Sequence, residues 1–134
     1  EYNLEPGITR IFQIWIIPNR QGEKPSWGAQ AFPKGDRHGQ FVTLASGMAG
    51  DKDVLPLRAD ARVLGATIKA GESVEYRFAN AERYGYLVLA TGAASVNGVA
   101  LYTRDGAAIH GEEKIRITAS EDTEVVLVDA AALQ

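Results

Sequence analysis

Two histidines, His38 and His110, and no cysteine set the limits of what this chain can do chemically. Without cysteine there is no disulfide, no thiolate metal site and no cysteine nucleophile. A mononuclear centre that activates oxygen needs several imidazoles or carboxylates converging on one ion that keeps an open position. His38 lies in the Gly- and charge-rich stretch Gly35-Asp36-Arg37-His38-Gly39, and His110 falls in a turn between late strands. Neither belongs to a His-x-His or His-x-x-x-His pair, so both are expected to be surface or turn residues that share no metal. Asp51, Asp53 and Asp60 lack the alternating donor loop and closing Glu that calcium requires, and they read as solvated loop charge. No Gly-x-Ser-x-Gly elbow, dinucleotide fingerprint or phosphate loop is present. The residues therefore nominate no catalytic, cofactor-binding or metal-binding side chain.

Aromatic residues are the more informative set. Tyr76, Phe78, Tyr84, Tyr86 and Tyr102 fall on successive extended segments. On strands of a small barrel such rings either fill the interior or line a pocket; a filled core is the expectation, with a pocket as its alternative.

The elements that must carry these side chains are short and extended. Residues 10–17 form a β-branched and aromatic run closed by Pro18 and Asn19, read as a strand. Phe12, Ile14 and Ile16 fall on one face and Ile11, Trp15 and Ile17 on the other, so something should cover both. Residues 19–39, rich in Gly, Pro and charge, read as a long surface connection with a short extended piece at 30–32. Strands are then predicted at 41–45, 61–68, 72–78, 85–91, 94–96, 99–102, 114–118 and 124–129. Asn97-Gly98, flanked by alternating residues, predicts a type I′ hairpin, and Lys69-Ala70-Gly71-Glu72 a second turn. Such spacing predicts an all-β, antiparallel jelly-roll sandwich or barrel from about 41 to 129. Its predicted buried positions are Val63, Ile68, Val74, Phe78, Leu87, Leu89, Leu101, Ile115, Ile117, Val126 and Val128.

Composition bounds the rest. With 134 residues, 46% of them hydrophobic, the chain can bury one sizeable core. A net charge of -3 gives no strong positive field, so nucleic acid is not an expected partner. No apolar run approaches the roughly 18–20 residues that span a bilayer, and no membrane partner is expected. The chain opens at Glu1 without signal-peptide character, which leads to the expectation of a cytoplasmic chain that begins inside a longer protein.

The segment Gln13-Ile14-Trp15-Ile16-Ile17-Pro18, followed by Gly22, Pro25 and Gln30, resembles the junction of pirin-like two-cupin proteins. Further along, Gly85-Tyr86-Leu87-Val88-Leu89-Ala90-Thr91-Gly92, Val96-Asn97-Gly98-Val99, Asp105-Gly106-Ala107-Ala108-Ile109 and Thr123-Glu124-Val125-Val126-Leu127-Val128-Asp129 are similar to the closing strands of the C-terminal cupin of that family. The resemblance covers nearly the whole chain. It implies a junction segment at 1–20 and a C-terminal cupin domain at 21–134. It also implies a parent related to quercetin 2,3-dioxygenases, whose N-terminal cupin holds iron, copper, nickel or manganese through three histidines and one glutamate. Glu1-Tyr2-Asn3 matches the end of that ligand motif, so only Glu1 carries over, and the metal belongs to the N-terminal cupin. Pro33-Lys34-Gly35-Asp36-Arg37-His38 fits the Pro-x-Gly-x-x-His core of a general cupin motif, but Val42 stands where that motif has Asn, and no metal role is expected of it.

Two functions of different class follow. One is a non-metal C-terminal lobe that supports and partly encloses the catalytic cupin of a flavonol-cleaving dioxygenase. The other is an independent small-molecule- or protein-binding β-barrel module without catalysis. The partners expected are the N-terminal cupin and, through an unpaired strand edge, a homodimer formed by residues 1–18. Folding of residues 10–17 back onto their own barrel is the alternative to that dimer.

Overall fold

The computed structural model describes residues 2–32 and 34–132. Residues 2–32 contain no strand or helix. A 3-10 turn (Lys34–Arg37) then leads into β1 (Val42–Ser46), β2 (Leu55–Pro56), β3 (Ala61–Ile68), β4 (Ser73–Arg77), β5 (Tyr84–Thr91), β6 (Ala93–Val96), β7 (Val99–Tyr102), β8 (Gly106–His110), β9 (Lys114–Ala119) and β10 (Thr123–Ala130). One sheet has the order β2-β1-β3-β10-β5-β8 and the other β4-β9-β6-β7. Eight of these strands make the two four-stranded layers of a jelly roll, and β1 and β2 widen the first layer. The all-β cupin sandwich expected from the sequence is thus the architecture observed.

Period-two patterning builds each layer. In β9, Ile115 and Ile117 are fully buried and alternate with exposed Lys114 and Arg116. In β10, Thr123, Val125, Leu127 and Asp129 point inward. These residues meet Leu64, Ala66, Ile68, Val74, Leu87 and Leu89 in one continuous core. The predicted hairpin is present: Asn97 and Gly98 have φ of 46° and 86°, the two positive values a type I′ turn needs.

Several expectations are corrected. Residues 10–17 form no strand, because among the described residues no neighbour pairs with them, and the extended piece at 30–32 is likewise unpaired. Ile11 and Trp15 are exposed rather than covered. Strand β2 was not anticipated, and β8 was indicated only by the resemblance of residues 105–109 to closing strands; Gly106, Ala107 and Ala108 have little intrinsic β preference, and β8 exists because it pairs with β5 from Tyr84↔His110 to Val88↔Gly106. His110 accordingly ends a strand and does not sit in a turn. Val63, Val126 and Val128 are half-buried on the outer face, while Leu64, Val125 and Leu127 take the core. No helix among the described residues is long and apolar enough to cross a membrane.

Candidate functional site

At one end of the sandwich the inward-facing positions change from apolar to charged. Here Arg62 is the second residue of β3, β4 ends beyond Tyr76, Arg83 precedes β5, and β10 approaches its end at Asp129. Asp129 is fully buried and Arg83 nearly so. The Tyr76 hydroxyl donates to Asp129 Oδ2 at 2.5 Å, and Arg83 Nε donates to Asp129 Oδ1 at 2.6 Å. Arg83 also reaches Asp60, through Nη1 to Oδ1 at 2.9 Å and through Nη2 to the main-chain carbonyl at 3.0 Å. A second cluster adjoins the first. Arg62 clasps Asp51 with Nε and Nη2 at 2.7 and 2.9 Å, Ser46 Oγ donates to the same carboxylate, and Arg62 Nη1 contacts the Tyr76 oxygen at 3.3 Å.

These contacts fix the protonation states. Hydrogen bonds from Arg62 and then from Ser46 hold the Asp51 carboxyl below its ordinary range. Burial alone would lower the pKa of Arg83, but its hydrogen bonds to Asp129 and Asp60 outweigh that effect and raise it. Burial, reinforced by the hydrogen bond to Asp129, pushes Tyr76 up to about 12. The folded protein therefore holds this phenolic proton more tightly than the unfolded chain, whose tyrosine titrates near 10. That contribution to stability is complete below about pH 10 and is lost as pH rises through about 12. Alkaline denaturation followed by tyrosine absorbance should show a late phenolate step coincident with unfolding. Tyr76→Phe should abolish the step; its persistence would assign it to another tyrosine.

Chemically the cluster is saturated. Both guanidinium groups are spent on carboxylates, and each of Asp51 and Asp129 accepts from two side chains. The guanidinium groups and the carboxylates are thus committed to one another, and the arrangement acts as an electrostatic plug joining four strands across the barrel end. Nor do the residues fit a divalent metal: the carboxylates are neutralised by arginine, no imidazole approaches them, and no group of three or more His, Asp or Glu gathers among the described residues.

The structure scatters the other candidates. His38 stands 3.6 Å from Glu72, beside β3. His110 stacks on Tyr84 at 4.2 Å with the rings 13° from parallel. In the Pro-x-Gly-x-x-His segment, Pro33 lies outside the described residues, as does Glu1 at the start of the chain. The reading of Asp51 as solvated loop charge is corrected, since Arg62 clasps it; Asp60 keeps that solvated character while its carboxylate also accepts from Arg83, and Asp53 lies in an exposed bend. The aromatics divide: Tyr76 and Phe78 pack edge-to-face inside the barrel, with Phe41 against Tyr76, whereas Tyr84, Tyr86 and Tyr102 are exposed. Sequence reasoning missed Arg62, Arg83 and Asp129. Asp129 shares the parity of Val125 and Leu127, which the structure shows to be the core-facing row of β10. Between the free edges of β7 and β8 lies an apolar crevice of about 350 Å³, floored by Leu101, Ile109 and Ile115.

Residues 43–130 match the family described as "Quercetinase C-terminal cupin domain". A pirin-like protein of Caulobacter vibrioides is 63% identical over 131 residues, covering 98% of this chain and 56% of that protein. A quercetin 2,3-dioxygenase of Escherichia coli is 31% identical, covering 96% of this chain and 54% of the enzyme. The crystal structure of the bacterial pirin YhhW from Escherichia coli, in complex with nickel(II), superposes with a TM-score of 0.78 at 28% identity, over 89% of this chain and 49% of that one. The chain thus spans about half the length of the relatives it matches.

Proposed function

The chain belongs to the pirin-like cupin family, as a quercetinase-type C-terminal cupin domain, and from that premise we propose that it is the non-metal lobe of a two-cupin protein. Its task is to support and partly enclose a catalytic lobe that lies upstream. The complete protein is a quercetin (flavonol) 2,3-dioxygenase whose divalent metal (iron, copper, nickel or manganese) is held entirely by that upstream cupin. One observation carries this reading: the end of the barrel that offers carboxylates has closed them with arginine, leaving no donor set for an ion. The nickel(II) complex of YhhW, a chain about twice as long as this one, supports a metal elsewhere in such proteins.

Metal analysis and oxygen uptake with quercetin test it, on this chain alone and on the chain joined to its upstream lobe. The lone chain should bind no stoichiometric metal and turn over no flavonol, and the joined protein should do both. Flavonol turnover by the lone chain with one bound ion would overturn the reading. The second reading, a free-standing binding module, is favoured by the crevice between β7 and β8. A start codon immediately before Glu1 would favour that module, and three suitably spaced upstream histidines the dioxygenase.

A further inference from the structure

The two outer faces of the sandwich differ. On the four-stranded sheet the outward row is ordinary solvent-facing chemistry: Glu75 pairs with Lys114 at 3.7 Å and with Arg116 at 3.9 Å, and Ser73 bonds Thr118 at 2.8 Å. The six-stranded sheet carries an ion pair, Arg37 with Glu124 at 3.7 Å, with the Arg37 side chain over Gly65, and beside it a run of valines. Its registers place Val63 opposite Val128 and Val128 opposite Tyr86, and in the next row Gly65 opposite Val126 and Val126 opposite Val88. Two apolar rows therefore cross β3, β10 and β5 on the outside while Leu64, Leu127 and Leu87 fill the inside. Antiparallel strands with one wet face alternate cleanly, and apolar runs on both faces belong to strands covered on both sides.

Building on the two-lobe reading above, we infer that the outer face of the six-stranded sheet, centred on Val63, Val88, Val126 and Val128, is the surface on which the upstream lobe docks. Three observations select that occupant. The family that matches is a C-terminal domain, and nearly half of each relative's length lies outside the match, so a lobe of comparable size precedes this one in those proteins. The chain that leads to it, residues 2–32, is tethered to the sandwich through Asn19 N to Arg58 O at 2.8 Å. Before that tether, Ile8 and Trp15 are 91% and 87% exposed, and the valines of the sheet face are only half-buried. Tyr84 and Tyr86, on β5 at the same face, add the large amphipathic side chains that interfaces concentrate.

The natural absence of cysteine supplies the test. Val88→Cys, Val128→Cys, Ile14→Cys on the leash and Ala100→Cys on the exposed side of β7 are labelled with a thiol reagent, and modified peptides are read by mass spectrometry. Each is compared in this chain and in the chain joined to its upstream lobe. Valine to cysteine is nearly isosteric, and circular dichroism verifies the fold of every variant. The expected result is a slowing of labelling by about tenfold or more at positions 88 and 128 in the joined protein, with position 100 unchanged. If position 14 is protected there but 88 and 128 are not, the docking face is wrong while the two-lobe reading stands. If none is protected, both fall. Protection at 88 and 128 in the lone chain that grows with concentration would assign the face to a second copy, the homodimer, and overturn the inference.

Discussion

Replacing Asp129 with Ala is expected to remove about 3–5 kcal/mol of stability, the loss typical of breaking a buried ion pair by deleting one partner. The size follows from what is left behind. Asp129 is fully buried and anchors two donors, the Tyr76 hydroxyl and Arg83 Nε. Without it, Arg83 keeps the Met48 sulfur, a weak acceptor, and Asp60, whose side chain is 55% exposed and therefore a screened partner, and the phenol keeps the longer contact to Arg62. A domain of this size has roughly 5–15 kcal/mol in total, so the variant should unfold at much lower urea concentration with little change in slope. Arg83→Met added to Asp129→Ala should cost less than the sum of the two single changes, because the second substitution removes the stranded charge. Additivity, or a loss below about 1 kcal/mol for Asp129→Ala, would mean that water reaches the pair and that the plug is not a sealed one.

How far the fold could be read from the chain depended on whether local chemistry or long-range pairing decided each element. Strand β3 (61–68) and the hairpin at Asn97-Gly98 were legible because periodicity and turn chemistry are local. β8 was not legible in that way, since nothing in Gly106-Ala107-Ala108 asks for a strand; its place is dictated by the neighbouring β5. Residues 10–17 err in the opposite direction. Their residue types ask for a strand, yet a strand needs a partner, and none stands beside them. The assignment of faces failed in β3 and β10 for a related reason: Val125-Val126-Leu127-Val128 is apolar at every position, so parity cannot say which set faces the core.

The chain offers no chelating pair of histidines, and nothing in it marked the network that occupies the barrel end. Its members, Asp51, Asp60, Arg62, Tyr76, Arg83 and Asp129, come from five separate stretches, and only the jelly-roll crossing of the chain brings them together. Charge in a loop is ordinarily solvated, and this is what hid Asp51 and Asp60. A carboxylate in phase with buried Val125 and Leu127 cannot remain unpaired, but with both faces of β10 apolar the chain does not say that this phase is the inner one, so Asp129 was hidden with its cation.

Gly92→Ala should be the other severe substitution, costing about 2–6 kcal/mol as the sum of left-handed backbone strain and overpacking against groups that cannot yield. Gly92 is the single residue between β5 and β6, where the chain leaves one sheet for the other. Its φ of +96° lies where L side chains are strained, and a Cβ there would collide with the Asp122 carbonyl and with Thr123, which are parts of the main chain opening β10. Movement is further blocked because the Thr103 hydroxyl accepts from Gly92 N at 3.0 Å and donates to Gly92 O at 3.1 Å. Gly98 provides the control. It has a similar φ of +86° but nothing within 4 Å of the added carbon, so Gly98→Ala should cost only the strain, about 1–2 kcal/mol. Urea midpoints of the two variants at equal slope measure the difference, which is the steric part alone. Equal losses would show that the crossover is looser than its contacts imply; a clearly larger loss at Gly92 would establish that the sheets are joined through a backbone passage that admits no side chain.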